Sequence, residues 1–134
     1  MIRRLDDKTL VSGQIQPGDV AALKDEGVTM IVNNRPDGED EAQPLAADIE
    51  AAAGEAGISY RYVPIYRGIG PSDVECMQEA IEAANGKMLA FCRSGNRSTL
   101  AWAVARRGQG ASVEELEAAA GGAGIDLSPV AHLL

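Results

Sequence analysis

The chain predicts an α/β fold, a three-layer sandwich with helices on both faces of a mainly parallel central sheet. Three observations carry that prediction. Short apolar runs rich in β-branched residues alternate with segments of helical composition, and turn or cap residues punctuate most of the junctions. The length, 134 residues, suffices for one proper core, so residues 1–134 are expected to form a single domain. No internal repeat or low-complexity tract interrupts it.

Each element has its own signal. Leu10-Val11-Ser12-Gly13 is the first expected strand, and Pro17-Gly18-Asp19 makes a turn and helix start. The helix over residues 20–26 ends at Gly27. Val28–Asn33 is a buried β-branched run, the strongest strand signal in the chain, and residues 34–38 are a loop on turn chemistry. Residues 45–56 are helical and closed by Gly57, and residues 58–65 form a strand whose end or edge is marked by Pro64. Ser72 and Glu75 have the spacing of a capping box for a helix reaching Ala84. Asn85-Gly86 turns the chain into the strand Lys87–Phe91, and a helix runs on to Arg107. Ser112 and Glu115 repeat the capping-box spacing, opening a last helix expected to stop at Gly121-Gly122.

Composition narrows the function. Hydrophobic residues at 46% and charged residues at 24% are those of an ordinary soluble globular protein. No apolar run approaches membrane-spanning length, so no membrane partner is expected. The first residues turn acidic too early for a signal peptide, and two cysteines without one suggest reduced thiols and a cytoplasmic location. A formal net charge of −8 argues against nucleic acid as partner. Nine of the twelve basic residues are nevertheless arginine, and Arg35, Arg67, Arg93 and Arg97 follow expected strands. Ligands of such sheets bind outside the carboxyl ends of strands, so these arginines suggest a local anion site.

The most informative segment is Phe91-Cys92-Arg93-Ser94-Gly95-Asn96-Arg97-Ser98. It joins a buried strand to a helix N-terminus, where backbone N–H groups and the helix dipole favour an anion and a thiolate. Gly95 permits a backbone conformation that a side chain obstructs. Cys92 is the candidate nucleophile. Arg93, Ser94, Gly95, Asn96 and Arg97 form the candidate cradle, with Arg97 the side-chain anion binder. Ser98 is a candidate donor to the Cys92 thiolate or an ordinary helix cap. Arg67 and Arg35 are candidate donors for the far end of a substrate, or surface ion pairs. Tyr66 is either a residue at the mouth or a packed loop aromatic.

Several passages together resemble one bacterial family. They are Val11-Ser12-Gly13-Gln14-Ile15, Ile31-Val32-Asn33-Asn34-Arg35-Pro36-Asp37-Gly38-Glu39, the cysteine loop and Leu100-Ala101-Trp102-Ala103. The family is that of the phosphatase-like domains related to beta-lactamase-hydrolase-like proteins. The resemblance implies a fold like that of dual-specificity protein phosphatases. It also implies a functional link to a sulfur dioxygenase, to which some relatives are fused.

The loop itself departs from the phosphatase pattern. Phe91 stands where those enzymes carry His, four residues rather than five separate Cys92 from Arg97, and Arg67 takes the place of the usual acid. Asp37 is the candidate substitute for that acid, whose catalysis is worth about 10²–10⁴-fold. The Cys-Arg-x-Gly-x-Arg spacing resembles the rhodanese loop. Sulfur transfer through a Cys92 persulfide is therefore the first expectation, with a small anionic sulfur donor and a thiol acceptor. A phosphatase acting on a phosphoester through a phosphocysteine on Cys92 is the alternative. A non-catalytic redox or anion sensor built on an exposed thiol is a further one.

The remaining signals are weaker. Cys76 is expected in a helix core, or as a resolving thiol. Trp102 is expected in the core. His132 is the one histidine, too few for a zinc site, and neither metal nor cofactor is expected.

Overall fold

The computed structural model describes residues 2–134, ordered around a five-stranded sheet with strand order β1-β2-β5-β3-β4. The strands are β1 (Ile2–Asp6), β2 (Thr9–Ser12), β3 (Val28–Asn33), β4 (Ser59–Tyr62) and β5 (Lys87–Phe91). The helices are α1 (Val20–Asp25), α2 (Ala46–Ala56), α3 (Pro71–Ala83), α4 (Asn96–Gly108) and α5 (Val113–Gly122). Short 3-10 turns cover Pro17–Asp19 and Ser128–Leu133.

All neighbours pair in parallel except β1 with β2. The register aligns the strand ends: Ser12 lies opposite Phe91, Phe91 opposite Asn33, and Asn33 opposite Tyr62. Everything that follows these four residues therefore emerges at one edge of the sheet, around the central strand β5.

Alternation along the strands divides the core. Ile31, Leu89 and Phe91 face α1 and α2, packing with Leu23, Ile49 and Ala53. Met30, Val32, Met88 and Ala90 face the other helical layer, packing with Met77, Trp102 and Leu116. Helix α4 is the most enclosed, with every residue from Ser98 to Ala105 buried. Small alanines at positions 101, 103 and 105 let it lie close on the sheet. Trp102 is 2% exposed, as a core residue should be.

Four sequence expectations are corrected. The first strand is β1, whose arginine-rich sequence buries only Leu5 and so carries no apolar signature. Helix α3 begins at Pro71, not behind a Ser72 cap, because the Asp73 carboxylate accepts the Gly70 N–H at 2.9 Å. Helix α5 continues through Gly121-Gly122, and the Ile125 N–H closes it on the Ala120 carbonyl at 2.9 Å. Cys76 is exposed, because the buried positions of α3 are Met77 and Ala80, placing Cys76 off the packed stripe. The Ser112 cap is present, its hydroxyl accepting the Glu115 N–H at 3.1 Å. No helix among the described residues is long and apolar enough to cross a membrane.

Candidate active site

Cys92 follows β5 directly, and its N–H donates to the Ser12 carbonyl at 3.3 Å, which ties the start of the loop to β2. The loop then reverses into α4 at Gly95, whose φ of 95° lies in the left-handed region that favours glycine. That reversal aims the Gly95 N–H at the Cys92 sulfur, 3.1 Å away. Helix α4 spans thirteen residues and begins immediately afterwards, so its positive end faces the same place. Among the described residues the N–H groups of Arg93, Ser94 and Arg97 have no partner. Free amides, a helix end and a sulfur together form an anion cradle.

The thiol itself is fully buried, where the sensor reading expected it exposed. It lies on the floor of the loop, beneath the Gly95 amide.

Two contacts hold the cradle from outside. Arg3 of β1 donates to the Ser94 carbonyl at 2.7 Å and to the Ala123 carbonyl at 2.9 Å. Gly13 lies against the loop so closely that a Cβ there would sit 2.9 Å from the Arg93 carbonyl oxygen. Backbone on both sides leaves no side chain to move away. Gly13→Ala should therefore displace the loop, lower kcat/KM at least ~tenfold and destabilise the fold by about 1–3 kcal/mol. Steady-state rates and a thermal melt check this, and wild-type turnover would show that the loop gives freely.

Arg97 is anchored end-on. Its two Nη atoms bind the Glu39 carboxylate at 2.8 Å each, and Nη1 also donates to the Ile65 carbonyl at 2.8 Å. A guanidinium has five N–H donors in a fixed fork. Three are used here, which leaves the Nε–H and one Nη2–H, the two that lie side by side along one edge. That edge suits two oxygens of a tetrahedral anion. The Glu39 carboxylate raises the Arg97 pKa most, and the nearby Cys92 sulfur contributes to the same rise.

Glu39 is the functional residue absent from the sequence expectations. Besides Arg97 it binds Arg35 Nε at 3.0 Å, and Arg35 also donates to the Gln14 side chain at 3.1 Å. These contacts hold the Glu39 carboxyl below the usual carboxylate range, Arg97 having the largest effect, against an opposing influence of burial. It is ionised at neutral pH, and so positions Arg97 without having a proton to deliver. Arg35 is 5% exposed, so it is neither a surface pair nor free for a substrate.

Other candidates lie where their chemistry is already engaged. One Asp37 carboxylate oxygen accepts the Ala46 N–H at 2.8 Å, satisfying a donor at the start of α2. The Tyr62 hydroxyl accepts the Asp37 N–H at 3.0 Å, which fixes the same loop. Ser98 donates to Asn34 Oδ1 at 2.8 Å, not to Cys92, while Asn34 Nδ2 donates to the Val63 carbonyl at 3.0 Å. This buried chain links α4, β3 and the segment after β4. Arg67, Arg93, Ser94 and Asn96 are exposed, and Tyr66 is 73% exposed, not packed. No cluster of three or more His, Cys, Asp or Glu side chains suited to a metal occurs among the described residues.

The chain is similar to known proteins in sequence and in fold. The family model described as "Beta-lactamase hydrolase-like protein, phosphatase-like domain" matches residues 1–109. A beta-lactamase hydrolase-like protein of Xylella fastidiosa strain Temecula1 is 32% identical over 92% of the chain, which spans 29% of that relative's length. Among solved structures, a candidate phosphatase from Neisseria meningitidis Z2491 superposes with a TM-score of 0.80 at 33% identity, covering 95% of this chain and 91% of that one. The structure of PTPMT1 superposes with a TM-score of 0.72 at 18% identity, covering 99% and 91%, a likeness of fold.

Proposed function

The chain belongs to the phosphatase-like domain family of the beta-lactamase hydrolase-like proteins, and on that premise we propose that it hydrolyses phosphomonoesters through a phosphocysteine on Cys92. The observation that carries this reading is the open edge of Arg97 beside the Cys92 sulfur and the unpartnered loop amides. Phosphoryl oxygens bind that edge and those amides, and the thiolate attacks phosphorus in line with the departing oxygen. The P–O bond breaks with its electron pair going to the leaving oxygen. Water then attacks the phosphocysteine, releasing inorganic phosphate and returning the thiolate.

The carboxyl groups define the substrate. Asp37 is engaged at α2 and Glu39 is held ionised by two arginines, so neither is poised to protonate a leaving oxygen. Without that assistance the leaving group must be a good one, such as a phenol. The expected result is Cys92-dependent turnover of p-nitrophenyl phosphate, with alkyl phosphates slower by at least ~10²-fold, the lower range of general acid catalysis. Equal rates for both classes would sink this account of the acid.

One observation favours a second reading. The loop between Cys92 and Arg97 is one residue shorter than in cysteine phosphatases, and a sulfane sulfur donor needs no acid, since thiolates and sulfite leave readily. Cys92 would then attack the outer sulfur, displace sulfite from thiosulfate, and pass the sulfur to an acceptor thiol. The link to a sulfur dioxygenase belongs to this reading. Intact mass after incubation with thiosulfate separates the two: a Cys92-dependent gain of one sulfur atom without phosphatase turnover would replace the first reading by the second.

A further inference from the structure

We infer, on the reading of Cys92 as the nucleophile, that Arg3 is a positioning residue for the reaction. It holds the Ser94–Gly95 peptide in the one orientation that aims an N–H at the sulfur. That peptide is trans, as is every described peptide bond, so its carbonyl oxygen and its N–H lie on opposite sides. Arg3 Nη2 donates to the Ser94 oxygen from outside the loop at 2.7 Å. The Gly95 N–H therefore faces inward, and it reaches the Cys92 sulfur at 3.1 Å. Among the described residues no other donor reaches the Ser94 carbonyl.

Glycine leaves that orientation open. It adopts positive and negative φ about equally well, so Gly95 itself sets no barrier to turning the peptide over. Turned over, the peptide would present a carbonyl oxygen to the sulfur and to any anion bound above it. A partial negative charge would then stand where the cradle needs a donor. Arg3 opposes that turn, because the turn would take away its acceptor.

The guanidinium is itself held in place. Arg3 pairs with Val11 across the β1–β2 ladder, which sets where its side chain begins. Nη1 donates to the Ala123 carbonyl at 2.9 Å, at the end of α5, where the negative pole of a helix favours a cation. Nη2 also lies so close over the turn that a Cβ on Gly95 would stand 2.9 Å from it. Arg3 lies ninety-one positions before Ser94, so the loop's own spacing does not include it.

The test uses the full chain as Arg3→Met, which keeps an unbranched stem without donors or charge. Amide hydrogen exchange, read by NMR, should accelerate at Gly95 at least ~tenfold more than at the amides of β5. The kcat/KM for p-nitrophenyl phosphate should fall about tenfold, less than the ~10²–10³ of deleting such a donor outright. Arg3→Lys keeps the charge and one donor, and should recover part of both together. Equal acceleration at Gly95 and β5 would make Arg3 a general support of the fold and overturn the inference. A loss of rate with Gly95 exchange unchanged, or lysine recovering the rate alone, would leave only a charge effect and overturn it too. Wild-type rates in Arg3→Met would do the same. If the wild type itself turns over no phosphomonoester, the phosphatase reading fails, while Gly95 exchange still decides the role of Arg3.

Discussion

Replacing Cys92 by serine should lower turnover of p-nitrophenyl phosphate at least ~10³-fold while leaving the fold intact. The two halves of that expectation have separate causes. The serine oxygen can still accept the Gly95 N–H that reaches the sulfur at 3.1 Å, so the loop keeps its shape. Chemistry is lost because a hydroxyl at neutral pH is a far poorer nucleophile than a thiolate, and no base stands ready to activate it. The buried polar groups next to the site are already committed, Ser98 to Asn34 and Asn34 to Val63. Stopped assays of phosphate release, with a thermal melt as control, check this. Residual turnover within tenfold of wild type would remove Cys92 from the mechanism and, with it, both readings of the site.

Arg97→Lys should be nearly as damaging, with kcat/KM falling by at least ~10²-fold, because a lysine cannot hold Glu39 and Ile65 and still present a two-donor edge. Glu39→Gln should be milder, about tenfold, since one amide oxygen still accepts from Arg97. What separates positioning from mere support is the acid limb of the pH profile. Arg97 and Arg35 lower the Glu39 pKa. Its contribution to stability and to Arg97 alignment is thus complete above the ordinary carboxylate value, and is lost as pH falls through its lowered one. In wild type, kcat/KM should fall in that acid range. In Glu39→Gln the same limb should be absent. An identical limb in both would show that another group titrates there.

Much of the fold was legible because local signals and tertiary burial agreed. The run Val28–Asn33 and the strand Lys87–Phe91 are apolar on both faces, as the middle strands of a parallel sheet must be. Strand β1 was not legible, since only Leu5 of its five residues is buried and Arg3 is committed to other segments. The glycines of α5 look like a stop in sequence, yet a helix tolerates them when its Leu116 and Ala120 face is buried. At the site, Cys92, Gly95 and Arg97 stood out because local spacing alone assembles them. Glu39 lies fifty-eight residues from Arg97, and its pairing depends on β3 and β5 lying side by side. Asp37 shows the reverse: a sequence position suited to an acid, and a carboxylate that the start of α2 has already taken.

Arg3 has a practical consequence for anyone who handles the protein. Its guanidinium joins the Ser94 carbonyl of the cysteine loop to the Ala123 carbonyl beyond α5, and it sits two residues from Met1. Any label or fusion that displaces β1 therefore acts on the reactive loop as well, through this one side chain. A label on Cys76, exposed on α3, avoids that strand, and in Cys92→Ser it is the one thiol left to react.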